Sequence, residues 1–207
     1  MKRSAQGILF VISAPSGTGK TSAGARLLER DSELVFSISY TTRSPRAGEH
    51  NGREYHFVTE ETFRAMVARG EMLESANVFG QFYGTATRDV QEVLSSGKDL
   101  LLDIDVQGAR QVREGPIHAV SIMILPPDYP TLEARLRKRG SEAEEALAQR
   151  LSGSRDEAED FINFNYVVIN DDLEETVQSL VAIVRAERLR TTHCRESARR
   201  IIATFPA

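Results

Sequence analysis

Short runs of consecutive apolar residues alternate with stretches in which apolar side chains recur at helical spacing. Residues 7–13 (GILFVIS), 34–40 (LVFSISY), 99–105 (DLLLDID), 118–125 (HAVSIMIL) and 166–170 (YVVIN) are of the first kind. Such runs mark strands buried on both faces. Residues 22–30, 60–70, 87–97, 128–140 and 172–190 are of the second kind, and the last sets Leu173, Val177, Leu180, Val181 and Val184 on one face. Gly70, Gly97 and Gly140 stand where three of these helices would end, and Pro126-Pro127 stops the fourth strand. Strand and helix in alternation predict an α/β fold: a three-layer core with a parallel sheet flanked by helices.

Two segments fit that core poorly. Within 37–90, Asn51-Gly52 is a hairpin signal, since both residues tolerate positive φ, and residues 54–58 would form the strand leaving it. The stretch around 137–155 is polar and arginine-bearing, and residues 141–161 read as polar and largely helical. Both are expected to be mobile attachments that carry function.

Composition narrows the class. At 207 residues and 41% hydrophobic, the chain is expected to form one globular unit with a substantial core. No apolar run spans a bilayer, and the apolar N-terminal stretch enters a glycine-rich turn, as a buried strand would and a signal peptide would not. Cys194 is alone, which fits a reducing, cytoplasmic setting. A net charge of −4 argues against a nucleic-acid surface. The tail from 190 to 207 is basic through Arg195, Arg199 and Arg200. It is read as a solvated end, with a homo-oligomer contact as the alternative.

The chemistry begins with SAPSGTGKT, residues 13–21, between the first strand and the first helix. This is the context of a phosphate-binding loop. Gly17 and Gly19 let backbone N–H groups turn toward phosphate oxygens, Lys20 brings a point charge, and Thr21 brings a hydroxyl for Mg²⁺. Ala14 stands where the general pattern has its first glycine. Asp103, at the carboxyl end of a buried strand, could hold the metal directly or through water. Asp105 would share its face if the strand continued. The stretch TTRSPRAGEHNGREY then places Arg43 and Arg46 around Pro45, with Glu49 and Tyr55 following. Forked donors and a phenol could clamp a second phosphate, with Glu49 holding an arginine in orientation. Residues 70–85 add Glu74, Tyr83 and Thr85. A buried carboxylate at Glu74 would favour guanine, whose Watson–Crick edge offers two donors where adenine offers a ring acceptor.

Over nearly its whole length the sequence resembles the guanylate kinase family. The motifs concerned are SAPSGTGKT, SISYTTRSPRAGEHNGREYHFV, LESANVFGQFYGT, LLLDIDVQGA, RLRKRGSEAEEALAQRL and VVINDDL, in the family's order. The resemblance implies Mg²⁺-dependent transfer of the ATP γ-phosphoryl group to GMP, extending to dGMP, and so a supply of GDP for GTP synthesis. It implies a core (1–36, 91–127, 160–207), a mixed α+β GMP-binding region (37–90) and a helical lid region (128–159). Carried over by position, Ala14, Pro15, Ser16, Gly17, Thr18, Gly19, Lys20 and Thr21 would bind ATP, with Asn170 near the adenine. Ser39, Glu74, Thr85 and Asp105 would surround the guanine, with Asp103 beside them and on the metal side. Arg43, Arg46, Tyr55 and Tyr83 would hold the GMP phosphate, supported by Glu49. Lys20, Arg43 and the lid arginines Arg135, Arg139 and Arg150 would act in catalysis. Ala14 looks like a variant within the family. A kinase for a phosphorylated sugar would not need the base-reading Ser39–Glu74–Tyr83 set. A non-catalytic binding module would not need Lys20, Thr21 and Asp103.

Overall fold

A computed structural model describes residues 6–78, 80–138 and 144–206. It contains two sheets. The apolar runs form the first: β1 (Leu9–Ser13), β2 (Leu34–Phe36), and, further along, strands at Asp99–Asp103, Ala119–Leu125 and Tyr166–Ile169. Residues 34–40 do not make one strand, however. β2 stops at Phe36, and a separate strand, β3 (Tyr40–Thr41), belongs to the second sheet. The apolar pattern runs straight through the place where the chain changes sheets. The second sheet also takes β4 (His56–Phe57), β5 (Met72–Val78) and β6 (Gln81–Ala86), in the order β4-β3-β6-β5. The Asn51-Gly52 turn is present, with φ 79° at Gly52 and its N–H on the Tyr55 carbonyl at 2.8 Å. It does not make an antiparallel hairpin, because the strands on either side, β3 and β4, pair parallel. The antiparallel hairpin is β5–β6, which had no strand signal in the sequence reading.

The remaining strands are β7 (Asp99–Asp103), β8 (Ala119–Leu125) and β9 (Tyr166–Ile169), and the core sheet runs β2-β7-β1-β8-β9, parallel throughout. Its central strand shows why the sequence is apolar at every position. Phe10 and Ile12 point into one cluster with Leu101, Ile122 and Val168; Leu9 and Val11 point into another with Leu100 and Leu102. The helices are α1 (Lys20–Arg30), α2 (Glu60–Ala68), α3 (Thr87–Ser95), α4 (Val106–Glu114), α5 (Tyr129–Lys138), α6 (Glu144–Glu159), α7 (Leu173–Arg188) and α8 (Thr191–Ile202), with a 3-10 turn at Asp160–Asn163. Ala23 and Leu27 of α1 and Leu180 and Val184 of α7 close the first cluster. Val90 and Leu94 of α3 and Ala109 and Val112 of α4 close the second. Side-chain caps start four of the described helices: Thr59 accepts from Thr62 N, Asp105 from Gly108 N, Asp128 from Thr131 N, and Asp172 from Glu175 N. The strand expected to reach Asp105 therefore ends at Asp103, and Asp105 turns the chain into α4. The C-terminal tail forms a helix whose residues are mostly exposed.

One ion-pair network ties the last long helix to the far side of the sheet. Arg188 of α7 pairs with Asp31, after α1, and its Nε donates to Asp99 of β7 at 2.6 Å. Asp99, 1% exposed, also accepts from the Ile8 backbone N–H at 2.9 Å. Removing the cation would take the Arg188 charge from the buried Asp99 and the half-buried Asp31. Arg188→Met should lower stability in urea denaturation by about 3–5 kcal/mol; a loss below about 1 kcal/mol would show that the network is well hydrated.

Candidate active site

The glycine-rich loop leaves β1 at its carboxyl end, where parallel sheets place ligands. Gly17 and Gly19 have φ of 89° and 96°, in the left-handed region that glycine alone adopts without strain. Each is also closely packed. A Cβ on Gly17 would lie 2.6 Å from Leu136, and one on Gly19 would lie 2.6 Å from the Asn170 amide nitrogen. The loop carbonyls are bound on the outside. Thr18 Oγ1 donates to the Pro15 carbonyl at 2.6 Å, and Asn170 Nδ2 donates to the Thr18 carbonyl at 2.6 Å. Thr176 Oγ1 in turn donates to Asn170 Oδ1 at 3.0 Å. Lys20 opens α1 and reaches back to the end of β7, pairing with Asp103 and donating to the Ile104 carbonyl at 2.7 Å. Residues 14–21 line a cavity of about 690 Å³, completed by Asn77, Val78, Gly80, Asp105, Gln107, Gly153 and Glu157.

A second cavity, of about 250 Å³, adjoins it and shares Val78 and Asp105. Ser39, Tyr55, Glu74, Ala76, Tyr83, Asp103 and Ile104 complete its lining. The β5–β6 register sets Glu74 opposite Thr85 and Ala76 opposite Tyr83, which gathers side chains far apart in sequence at one spot. Glu74 is 4% exposed, and its carboxylate accepts from Thr85 Oγ1 at 2.7 Å. Burial raises its pKa to about 7; Asp105 adds to the rise, while Thr85 and Lys20 oppose it. Thr85 itself is buried and acts through Glu74, without lining the cavity.

Beside this cavity Arg43 and Glu49 form a two-pronged pair, with both N–H···O distances at 2.9 Å. Glu49 also accepts from the Arg46 backbone N–H at 2.7 Å. These donors hold its pKa near 2, Arg43 contributing most. The Arg43 guanidinium lies 5.4 Å from the centre of the Tyr55 ring, which meets Tyr83 edge-on at 5.8 Å. The expected cluster of Arg43, Glu49, Tyr55 and Tyr83 is thus brought together. The Arg46 side chain is exposed and does not line the cavity.

The lid residues are placed unevenly. Arg135, on α5, already donates to the carbonyls of Asn170 and Asp171 at 2.8 and 3.2 Å. Asn170, expected beside the adenine, is 5% exposed behind the loop and does not line the larger cavity. Arg139 and the side chain of Arg150 lie outside the described residues. The sequence reading missed Asn77, Val78, Gln107 and Glu157; each is an ordinary residue in its local pattern, and only the topology brings it to a cavity.

A phosphate-binding loop on a parallel sheet, opening onto an adjoining pocket with a buried acid, defines a P-loop nucleotide-binding protein with a second ligand site. The guanylate kinase family model matches residues 6–187. A guanylate kinase of Aromatoleum aromaticum is 50% identical over 184 residues, covering 89% of this chain and 90% of that relative. One from Nitrosomonas europaea is 47% identical over 197 residues, covering 95% and 98%. The crystal structure of guanylate kinase from Anaplasma phagocytophilum superposes with a TM-score of 0.73 at 36% identity, covering 91% of this chain and 90% of that one. The chain belongs to the guanylate kinase family.

The Glu49 pair can be tested by titration. Its folded pKa is depressed, so its contribution to stability is present above the ordinary carboxylate range near 4.5 and is lost as pH falls through about 2. The Glu49 carboxyl ¹³C shift should therefore titrate near 2, and a midpoint above 4 would show that the Arg43 pair does not form in solution.

Proposed function

We propose that the protein transfers the γ-phosphoryl group of ATP to GMP, giving ADP and GDP, with ATP in the loop cavity and GMP in the smaller one. The observation that carries this reading is that the two cavities share Val78 and Asp105, so a ligand in one faces a ligand in the other. The family membership agrees with this activity.

Donor and acceptor are both polyanions and repel. Backbone N–H groups of the glycine-rich loop and the N-terminus of α1 would hold the ATP phosphates. Lys20, paired with Asp103, would turn its charge to the transferred group. The GMP phosphate would meet Arg43, already oriented by Glu49, together with Tyr55, Tyr83 and the exposed Arg46. Its oxygen is ionised at neutral pH and needs no general base, so catalysis is positioning and charge stabilisation. Glu74 would read the guanine edge, with Ser39 and Asp105 lining the same cavity. Arg135, Arg139 and Arg150 are assigned to the ATP side. Residues 37–90 are assigned to GMP binding, 128–159 to the lid, and the rest to the core.

Mg²⁺ fits this arrangement. Thr21 supplies a hydroxyl in the loop cavity and Asp103 a carboxylate beside Lys20, while no cluster of three or more His, Cys, Asp or Glu among the described residues could hold a metal alone. A sparse oxygen set is what Mg²⁺ takes when substrate phosphates complete its shell, and the ion would neutralise charge between those phosphates. No helix among the described residues is long and apolar enough to cross a membrane. The tail helix α8 leaves Ile201 and Ile202 more than half exposed, which supports the subunit-contact reading of the tail.

A coupled assay for ADP formation with GMP, dGMP, AMP, CMP and UMP tests the assignment; GMP should be preferred, and equal rates with AMP would overturn it. Lys20→Ala should reduce kcat by at least about a hundredfold with an unchanged circular dichroism spectrum; near-normal turnover would remove Lys20 from the mechanism. The raised Glu74 pKa gives a third test. Guanine donates to the ionised carboxylate, so kcat/KM for GMP should rise by about tenfold from pH 6 to pH 8, as Glu74 loses its proton near 7. Glu74→Gln should abolish this part of the profile, leaving only the ionisation of the GMP phosphate, and should cut the preference over AMP by tens-fold or more. An unaltered profile would show that Glu74 does not face the base.

A further inference from the structure

Glu74 owes its place to a helix outside its own sheet. β5 is the outermost strand of the second sheet, with β6 on one side only. A residue in an antiparallel strand directs its N–H and C=O to the same edge. Those of Ser75, next to Glu74, turn to the edge away from β6, where the half-buried Gln111 of α4 takes both. Gln111 Oε1 accepts from the Ser75 N–H at 2.9 Å, and Gln111 Nε2 donates to the Ser75 carbonyl at 2.8 Å. The side-chain amide stands where a neighbouring strand would stand.

The other contacts between α4 and β5 cannot do this work. Leu73 is buried with Ala109 and Val112 of α4, but an apolar contact is non-directional. Gly108, three positions before Gln111 and on the same face of the helix, leaves room for Glu74 without gripping it: a Cβ there would lie 2.8 Å from Glu74 Oε2. Thr85 holds the far end of the side chain through Oε1. Gln111 fixes its origin, since the Ser75 nitrogen shares a peptide plane with the Glu74 Cα.

We propose that Gln111 is a positioning residue for guanine specificity. It lines neither cavity and acts through the main chain of β5, which it locks so that the Glu74 carboxylate meets the base edge in register. Hydrogen bonds weaken steeply with misalignment. Freeing β5 from α4 therefore costs GMP the contacts that distinguish it, while AMP, which makes none of them, loses nothing of that kind.

This inference rests on the assignment of guanine to the smaller cavity with Glu74 as its reader, and the test separates the two. Gln111→Met keeps the length of the side chain and removes both hydrogen bonds. Gln111→Glu keeps an acceptor for the Ser75 N–H and sets a carboxylate against the Ser75 carbonyl. In both variants KM for GMP should rise about five- to tenfold, the scale of one weakened hydrogen bond. KM for ATP and kcat/KM for AMP should stay within about twofold, so the preference for GMP falls. A smaller folded fraction alone would lower kcat for both acceptors equally and leave the preference unmoved. In a Glu74→Gln background Gln111→Met should shift the preference by less than about twofold, because the residue it acts through is gone. Amide exchange reads the clamp directly: the Ser75 N–H should exchange about tenfold or more faster in Gln111→Met than in wild type. If Glu74→Gln lowers the preference and Gln111→Met does not, or if Ser75 exchanges equally fast with and without Gln111, this inference alone is overturned. A preference unmoved by Glu74→Gln itself would overturn the reading of Glu74 and this inference with it.

Discussion

A cradle made of main-chain N–H groups works only if the chain cannot fold in and satisfy those groups itself. In this protein the loop carbonyls are held from outside. Thr18 Oγ1 takes the Pro15 carbonyl, Asn170 Nδ2 takes that of Thr18, and Arg135 fixes the carbonyls of Asn170 and Asp171 behind them. Leu136 and the Asn170 amide fill the space over Gly17 and Gly19, so neither glycine can be exchanged for a larger residue without displacing a support. The Thr18 N–H closes a turn on the Pro15 carbonyl at 3.3 Å, and with these acceptors engaged the other loop donors have no loop carbonyl bonded to them among the described residues. The rest of the site depends on this constraint, because each later element leans on the loop or lines its cavity. Lys20 is parked on Asp103 and Ile104, and Glu157 lines the same cavity.

The two acids of the smaller pocket show how surroundings set chemistry. Glu49 sits among donors and stays ionised down to about pH 2. Glu74 lies among buried groups with a single hydroxyl donor and gains a proton near pH 7. The first acid is permanently charged and orients an arginine. The second accepts from one hydroxyl, Thr85, and under the proposed assignment a base edge with two N–H groups would satisfy it, whereas adenine would set an acceptor against it.

The sequence revealed those parts of the fold that repeat a local rule. Runs buried on both faces, helical stripes and the strand–loop–helix phosphate motif were all legible, and the cluster of Arg43, Glu49 and Tyr55 was legible because proline and glycine confine it to one loop. What stayed hidden depends on pairing between distant segments. Residues 34–40 look like one strand, since apolarity continues while the chain passes from one sheet to the other. β5 mixes Glu74, Ser75 and Asn77 among its apolar residues, a pattern that follows neither face rule, because part of the strand lines a pocket. Asp105 reads as a strand continuation and proves to be a helix cap. Glu157 stands in a polar helix where any acid reads as solvated, and nothing local marks Arg188 as the partner of Asp31 and Asp99.

Helix α4 joins the two pockets into one device. Its cap, Asp105, lines both cavities, and its first turn comes so near Glu74 that a Cβ on Gly108 would lie 2.8 Å from the carboxylate oxygen. Further along, Gln111 bonds the Ser75 backbone in both directions, at 2.9 and 2.8 Å, fixing β5 to the helix. β5 carries Glu74, and α4 follows directly from β7, the strand that ends in Asp103. The acid that would read the base is thus held rigidly against the strand end where Lys20 waits. On the opposite side Leu132 and Leu136 of α5 lie over Gly17, Arg135 holds the carbonyls behind the loop, and Gly153 and Glu157 of α6 line its cavity. α4 thus ties the acid to the core sheet on one side of the loop, while α5 and α6 cover the loop from the other.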